Sequence, residues 1–252
     1  MAWDAARGEV LLFGGSRVLF GPETLSSERL LADTWVWSGE SWRSCETGVS
    51  PAARAEAAAA YDEQRRRVVM FGGYTIRGTV RERLGDTWEW NGERWEQAAS
   101  DGPSPRNNAA MAYDAGLKRI VLFGGSGATA DTWAWEGSAW RRISTNEVPG
   151  RYNSAMAFDY ERGVIVRFGG WDRTTRASDT WLLEADRWRL VESGGPPARN
   201  HATLTWHPGL RRVVLFGGHD GESVMGDVWS WDGSRWHIER RVLARKRVDN
   251  GH

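Results

Sequence analysis

Four arginines recur at a fixed distance from a downstream landmark. Arg54, Arg106, Arg151 and Arg199 each follow shortly after a proline and stand 17 residues before the Phe of a Phe-Gly-Gly triplet. A guanidinium forks two hydrogen bonds onto a carboxylate, so such a set suits an acidic peptide or a sugar acid. Two residues after each arginine come Glu56, Asn108, Asn153 and His201, which differ from copy to copy. Tyr74, Trp171 and His219 directly follow Gly-Gly doublets, and their rings offer stacking planes for sugars or peptides. The repetition of the arginines has a second reading, since a residue present in each copy can serve each copy. They could tie each repeat to a neighbouring carbonyl or carboxylate, leaving the variable positions to set specificity. His201 and His219 could hold a metal or move a proton. No carboxylate stands at ligand spacing beside them, so no metal, cofactor or catalytic residue is expected.

The elements that position these side chains follow from five copies of one pattern. Phe-Gly-Gly occurs at Phe13, Phe71, Phe123, Phe168 and Phe216, with spacings of 58, 52, 45 and 48 residues. Self-similarity at such a period marks a solenoid, propeller or array. A β-branched apolar run ("RVVMF", "RIVLF", "RVVLF") enters each triplet, which reads as a buried strand running into a turn. After each triplet comes Asp-x-Trp, at Asp33, Asp86, Asp131, Asp179 and Asp227, and nine residues beyond each Asp stands another Trp. In four copies a glycine lies three residues before that Trp, the pattern of a hairpin. Between each arginine and its triplet lies a further short strand, as in "MAYD" or "MAFD". Four short antiparallel strands per unit of about 50 residues fit a propeller blade.

The Gly-Gly doublets, the aromatic at a fixed distance before Trp and the Pro/Arg lead-in resemble kelch repeats, in the Trp-rich form common in bacterial proteins. The resemblance covers roughly residues 1–240. It implies an all-β propeller of the galactose-oxidase central-domain type, with blades at about 1–47, 48–100, 101–145, 146–192 and 193–240. Met1 aligns with Ala59, Met111, Met156 and Leu204, in the middle of a first strand. Because kelch rings more often have six or seven blades, the expectation is a chain truncated at its N-terminus, with further blades and a leader upstream. Residues 241–252 match no repeat and read as a basic, solvated tail.

Strand alternation puts the arginine-bearing lead-ins on the same face as the links between strands 2 and 3. Those links vary most, with Phe-to-Asp gaps of 20, 15, 8, 11 and 11 residues, and variable loops on a constant scaffold are where binding usually sits. The expected function is therefore non-catalytic binding of a protein or glycan ligand, possibly acidic, through that face. The alternative is a propeller enzyme of the sugar-acid epimerase or copper-oxidase kind. Kelch-type copper oxidases use two Tyr and two His with a Tyr–Cys crosslink. Here the single cysteine, Cys45, falls in an outer strand, and the Ser-x-Asp-x-Gly-x-x-Trp box of propeller sialidases is absent. With 33 basic and 33 acidic residues the chain has no net charge, so no overall field favours nucleic acid. No apolar run reaches the length of a membrane span. Compartment and oligomeric state are not legible.

Overall fold

A computed structural model describes residues 1–17, 29–126, 130–145, 148–191, 194–240 and 245–246. It is a five-bladed β-propeller of four-stranded antiparallel sheets. Blade 1 comprises β1 (Ala2–Asp4), β2 (Glu9–Ser16), β3 (Leu30–Trp37) and β4 (Trp42–Cys45). Blade 2 comprises β5 (Ala58–Asp62), β6 (Arg67–Phe71), β9 (Thr87–Trp90) and β10 (Trp95–Ala99), with a β7–β8 hairpin (Tyr74–Arg77, Val80–Arg83) inserted between its second and third strands. Blade 3 is β11 (Ala110–Asp114), β12 (Arg119–Phe123), β13 (Asp131–Trp135) and β14 (Trp140–Thr145). Blade 4 is β15 (Ala155–Asp159), β16 (Val164–Phe168), β17 (Thr180–Glu184) and β18 (Arg187–Val191). Blade 5 is β19 (Thr203–His207), β20 (Arg212–Phe216), β22 (Val228–Trp231) and β23 (Trp236–Arg240). Its β21 (Ser223–Val224) pairs with β24 (Arg245–Lys246), the one described stretch of the basic tail; the rest of 241–252 lies outside the described residues. The first strands are innermost, with β1 packed on β5, β5 on β11, β11 on β15 and β15 on β19.

The repeated residues explain how one blade holds the next. The last Trp of each later blade donates its indole N–H to a Thr of the blade before: Trp95 to Thr34, Trp140 to Thr87, Trp188 to Thr132 and Trp236 to Thr180, at 2.8–3.0 Å. Each of these indoles also receives, edge-on, the Phe of the preceding blade's Phe-Gly-Gly, as Trp95 does Phe13 and Trp140 does Phe71, with ring centroids 5.2–5.5 Å apart. Thus the Thr of Asp-Thr-Trp, the Phe of the triplet and the terminal Trp form one inter-blade joint.

The glycines complete that joint. The second Gly of each of the first four triplets donates its N–H to the carbonyl of the next blade's lead-in arginine, as Gly73 to Arg106 and Gly170 to Arg199, both at 2.9 Å. This contact brings the first Gly so close that a side chain has no room. A Cβ on Gly169 would sit 2.6 Å from the Arg199 oxygen, at a φ of +65°. Gly163 has nearly the same φ, +69°, and nothing within 4 Å of a Cβ. Gly163→Ala should therefore cost about 1 kcal/mol of conformational strain alone. Gly169→Ala should cost at least about 3 kcal/mol, because the clash is with backbone. Denaturant titration of the two variants checks the difference.

Candidate ligand-binding face

The lead-in segments and the strand 2–3 links meet on one face of the propeller. Isolated bridges join Ala55 to Tyr74, Asn107 to Ser126, Tyr152 to Trp171 and Asn200 to His219. Each pair couples the residue after a lead-in arginine to the residue after Gly-Gly in the same blade. The next residues link blade to blade through their backbones: Asn108 N–H to Glu56 C=O, Asn153 to Asn108 and His201 to Asn153, at 3.0–3.1 Å. Glu56, Asn108, Asn153 and His201 all adopt left-handed φ values of 54–59°. Asn tolerates this conformation; Glu and His hold it under strain that the surrounding ladder must sustain.

Three of the four repeated arginines lie beneath that face. Arg54, Arg106 and Arg199 are each 1% exposed. Each grips the Asp of its own blade's Asp-x-Trp with two nitrogens: Arg54 on Asp86 at 2.7 and 2.8 Å, Arg106 on Asp131 at 2.8 and 3.2 Å, Arg199 on Asp227 at 2.6 and 2.9 Å. Each also donates to the carbonyl of the first triplet Gly at 3.0 Å, and through Nε to a carbonyl two residues back. The Asp additionally accepts the indole N–H of its own Trp, as Asp131 does from Trp133 at 2.7 Å. Its partners are thus an indole two residues on and a guanidinium 25–32 residues back, and sequence distance hides the second. Burial works to raise the pKa of Asp86, Asp131 and Asp227, but bonds from the arginine and Trp, with the arginine's charge, bring each below the usual carboxylate range.

Blade 4 departs from this arrangement. Arg151 pairs at 3.2 Å with Asp172 in the loop after Gly-Gly and donates to the Gly150 carbonyl. Arg167, in the middle of β16, takes over Asp179 at 3.4 Å and lies 4.7 Å over the Phe123 ring. It is fully buried, and that burial pushes its pKa down to about 10 against the pull of Asp179. The signal was in the sequence: "VIVRF" puts an arginine where the other strands carry Met70, Leu122 or Leu215. Arg151 is thereby the one repeated arginine whose pairing lies at the loop surface.

The remaining candidates form two similar stacks and a histidine pair. In blade 2, Arg81 lies 4.2 Å over the Tyr74 ring, and Arg83 Nε donates to Asn107 Oδ1 at 3.2 Å. In blade 4, Arg176 lies 5.2 Å over Trp171, which itself packs 5.2 Å from Tyr152, and Arg176 Nε donates to Asn200 Oδ1 at 3.0 Å. Glu56 accepts from the side-chain amides of Asn107 and Asn108. His201 Nδ1 and His219 Nε2 are 3.1 Å apart with rings stacked at 5.1 Å, and burial together with His219 lowers the His201 pKa. Among the described residues no cluster of three or more His, Cys, Asp or Glu could hold a metal ion.

Arg81, Arg83 and Arg176 were not singled out by sequence. They sit in links of unequal length and keep no fixed distance from any repeat landmark; only their neighbourhood to Tyr74 and Trp171 hints at them. Among the described residues none of the three has a carboxylate within ion-pair distance. Arg81 and Arg83 are exposed and Arg176 half-buried; held by a ring face, an amide or, at Arg176, both, they leave terminal nitrogens for an external acceptor.

Among the described residues no helix is long and apolar enough to cross a membrane. No family model matches the chain. Over 120 residues, 46% of its length, the chain is 32% identical to Dynein regulatory complex subunit 7 of Chlamydomonas reinhardtii, and it spans 10% of that protein's length.

Proposed function

We propose that the chain is a non-catalytic, kelch-like binding scaffold whose lead-in and strand 2–3 face takes an acidic segment of a partner protein. The observation that carries this reading is the set of three arginines, Arg81, Arg83 and Arg176, held by aromatic rings and amides on one face with no carboxylate at ion-pair distance among the described residues, Asp220 feeling the Arg176 charge from further off. Around them Glu56, Asn108, Asn153, His201 and His219 differ from blade to blade, so the same scaffold position offers different chemistry around the axis. Arg54, Arg106 and Arg199 contribute as the floor, and Arg151 as a largely buried cation tied to Asp172 in the loop. A relative that is by name a subunit of a complex favours a protein over a glycan as partner.

Fluorescence-anisotropy titration of a labelled oligoglutamate peptide tests this. Binding should weaken with added salt, and Arg83→Ala with Arg176→Ala should weaken it by roughly tenfold or more, each charged hydrogen bond contributing about 1 kcal/mol or more. The melting temperature should fall somewhat, since each arginine also satisfies a buried amide oxygen, of Asn107 or Asn200, so circular dichroism confirms that the variant is folded before its affinity is read. Equal affinity in the variant removes the reading. Preference for a glucuronate oligosaccharide over the peptide would keep the face and replace the partner class.

A further inference from the structure

The opposite end of the axis carries a second site that owes nothing to the arginine face. A cavity of about 450 Å³ is lined by the first strands of all five blades and the turns that follow them. At one register, just before the residue that closes the strand 1–2 turn, each first strand bears an aromatic: Trp3, Tyr61, Tyr113, Phe158 and Trp206. Two of these are committed to the fold. Tyr61 OH accepts the Ala6 N–H and Tyr113 OH the Gln64 N–H, each clamping the turn of the preceding blade.

Phe158 is buried in the core and Trp206 packs against a core cluster, whereas Trp3 stays open. Trp3 is 56% exposed and Tyr160, in the turn after β15, 45%, so both keep ring surface open beside the cavity. Tyr160 packs 5.6 Å from Trp206 and 5.0 Å from Phe158, and it donates its hydroxyl to the Glu63 carboxylate. Burial and that carboxylate push the Tyr160 phenol up, so it stays a protonated donor.

Charge decides what such a cavity accepts. Glu63 is the single carboxylate among the lining residues, which include no Lys, Arg or His. The turn arginines point their charge elsewhere: Arg7, Arg65 and Arg162 pair with Asp4, Asp62 and Asp159 and reach the strand 3–4 turns of the next blade. A sugar would need several hydrogen-bonding side chains, and this lining is mostly ring faces and Ala. Ring faces attract a cation whose charge is spread over N-methyl groups, and a carboxylate opposes it. We propose that this axial cavity binds a quaternary or methylated ammonium group, with Trp3, Tyr160 and Trp206 around the methyls and Glu63 balancing the charge.

Calorimetric titration of the full chain with choline, with its uncharged isostere 3,3-dimethylbutan-1-ol, and with a short peptide carrying trimethyl-lysine tests the assignment. Choline or the peptide should bind, and the isostere about fivefold or more weaker. Glu63→Gln and Trp206→Leu, each checked for an unchanged circular-dichroism spectrum, should weaken binding by a similar factor. Tighter binding of the peptide than of choline would name a methylated protein side chain as the source, and the reverse a free small cation. The proposal falls if neither cation gives heat at millimolar concentration, if the isostere binds as well, or if Glu63→Gln binds as wild type. Glu63 is exposed, so that variant keeps the test valid should Trp206→Leu misfold.

Discussion

Arg106→Ala should destabilise the protein by about 3–5 kcal/mol, because it strands the buried Asp131 carboxylate without its counter-charge. The same substitution at Arg151 should cost about 1 kcal/mol or less, since its pairing with Asp172 lies nearer solvent. The two positions are indistinguishable in the repeat alignment, both 17 residues before a triplet Phe. Only the handover of Asp179 to Arg167 separates them. Equilibrium denaturation in urea at neutral pH reads the difference. The contrast should also fade in acid. Asp131 has a folded pKa below its unfolded value, so its contribution is complete above the unfolded pKa and is lost as pH falls through the folded one. The penalty of Arg106→Ala should therefore shrink below about pH 4. Equal costs for Arg106→Ala and Arg151→Ala would sink the division of labour between them.

The second large effect belongs to the inter-blade joint. Trp95→Ala should cost about 3–5 kcal/mol, the usual range for emptying a large buried aromatic site. Trp95 is 2% exposed, meets Phe13 edge-on and donates to Thr34. Trp42 occupies the same repeat position in blade 1 yet is 44% exposed, so Trp42→Ala should cost about 1 kcal/mol or less. Thr34→Val isolates the hydrogen bond from the packing: it keeps the shape, leaves the indole N–H without its acceptor and should cost about 1–3 kcal/mol. If Trp42→Ala and Trp95→Ala are equally damaging, repeat position rather than seam contact governs these residues.

The propeller was legible because each joint uses residues that sequence can count. Phe-Gly-Gly, Asp-Thr-Trp and the terminal Trp recur because each contributes one part of the same contact between neighbouring blades. The site was legible in part. Chain direction alone put the lead-ins and the strand 2–3 links on one face, and the bridges from Ala55 to Tyr74 and from Asn200 to His219 lie there. What spacing could not reveal was which arginines are spent inside the fold. Arg54 reaches Asp86 across 32 residues of sequence and Arg106 reaches Asp131 across 25, so no local pattern records the pairing. Arg81, Arg83 and Arg176 escaped notice for the opposite reason: they lie in the segments whose lengths differ between copies. The aromatic register at Trp3, Tyr61, Tyr113, Phe158 and Trp206 was present in each copy, but its shared cavity exists only once five first strands surround one axis.

The proposed acidic ligand would sit on one face and not in the blade interiors. Amide hydrogen exchange with and without saturating oligoglutamate peptide addresses it most directly. Exchange should slow at residues 74–83 and 171–176, with the strand 1–2 turns near Asp4, Asp62, Asp114 and Asp159 unchanged. Protection confined to those turns, or no protection at saturation, would contradict this placement.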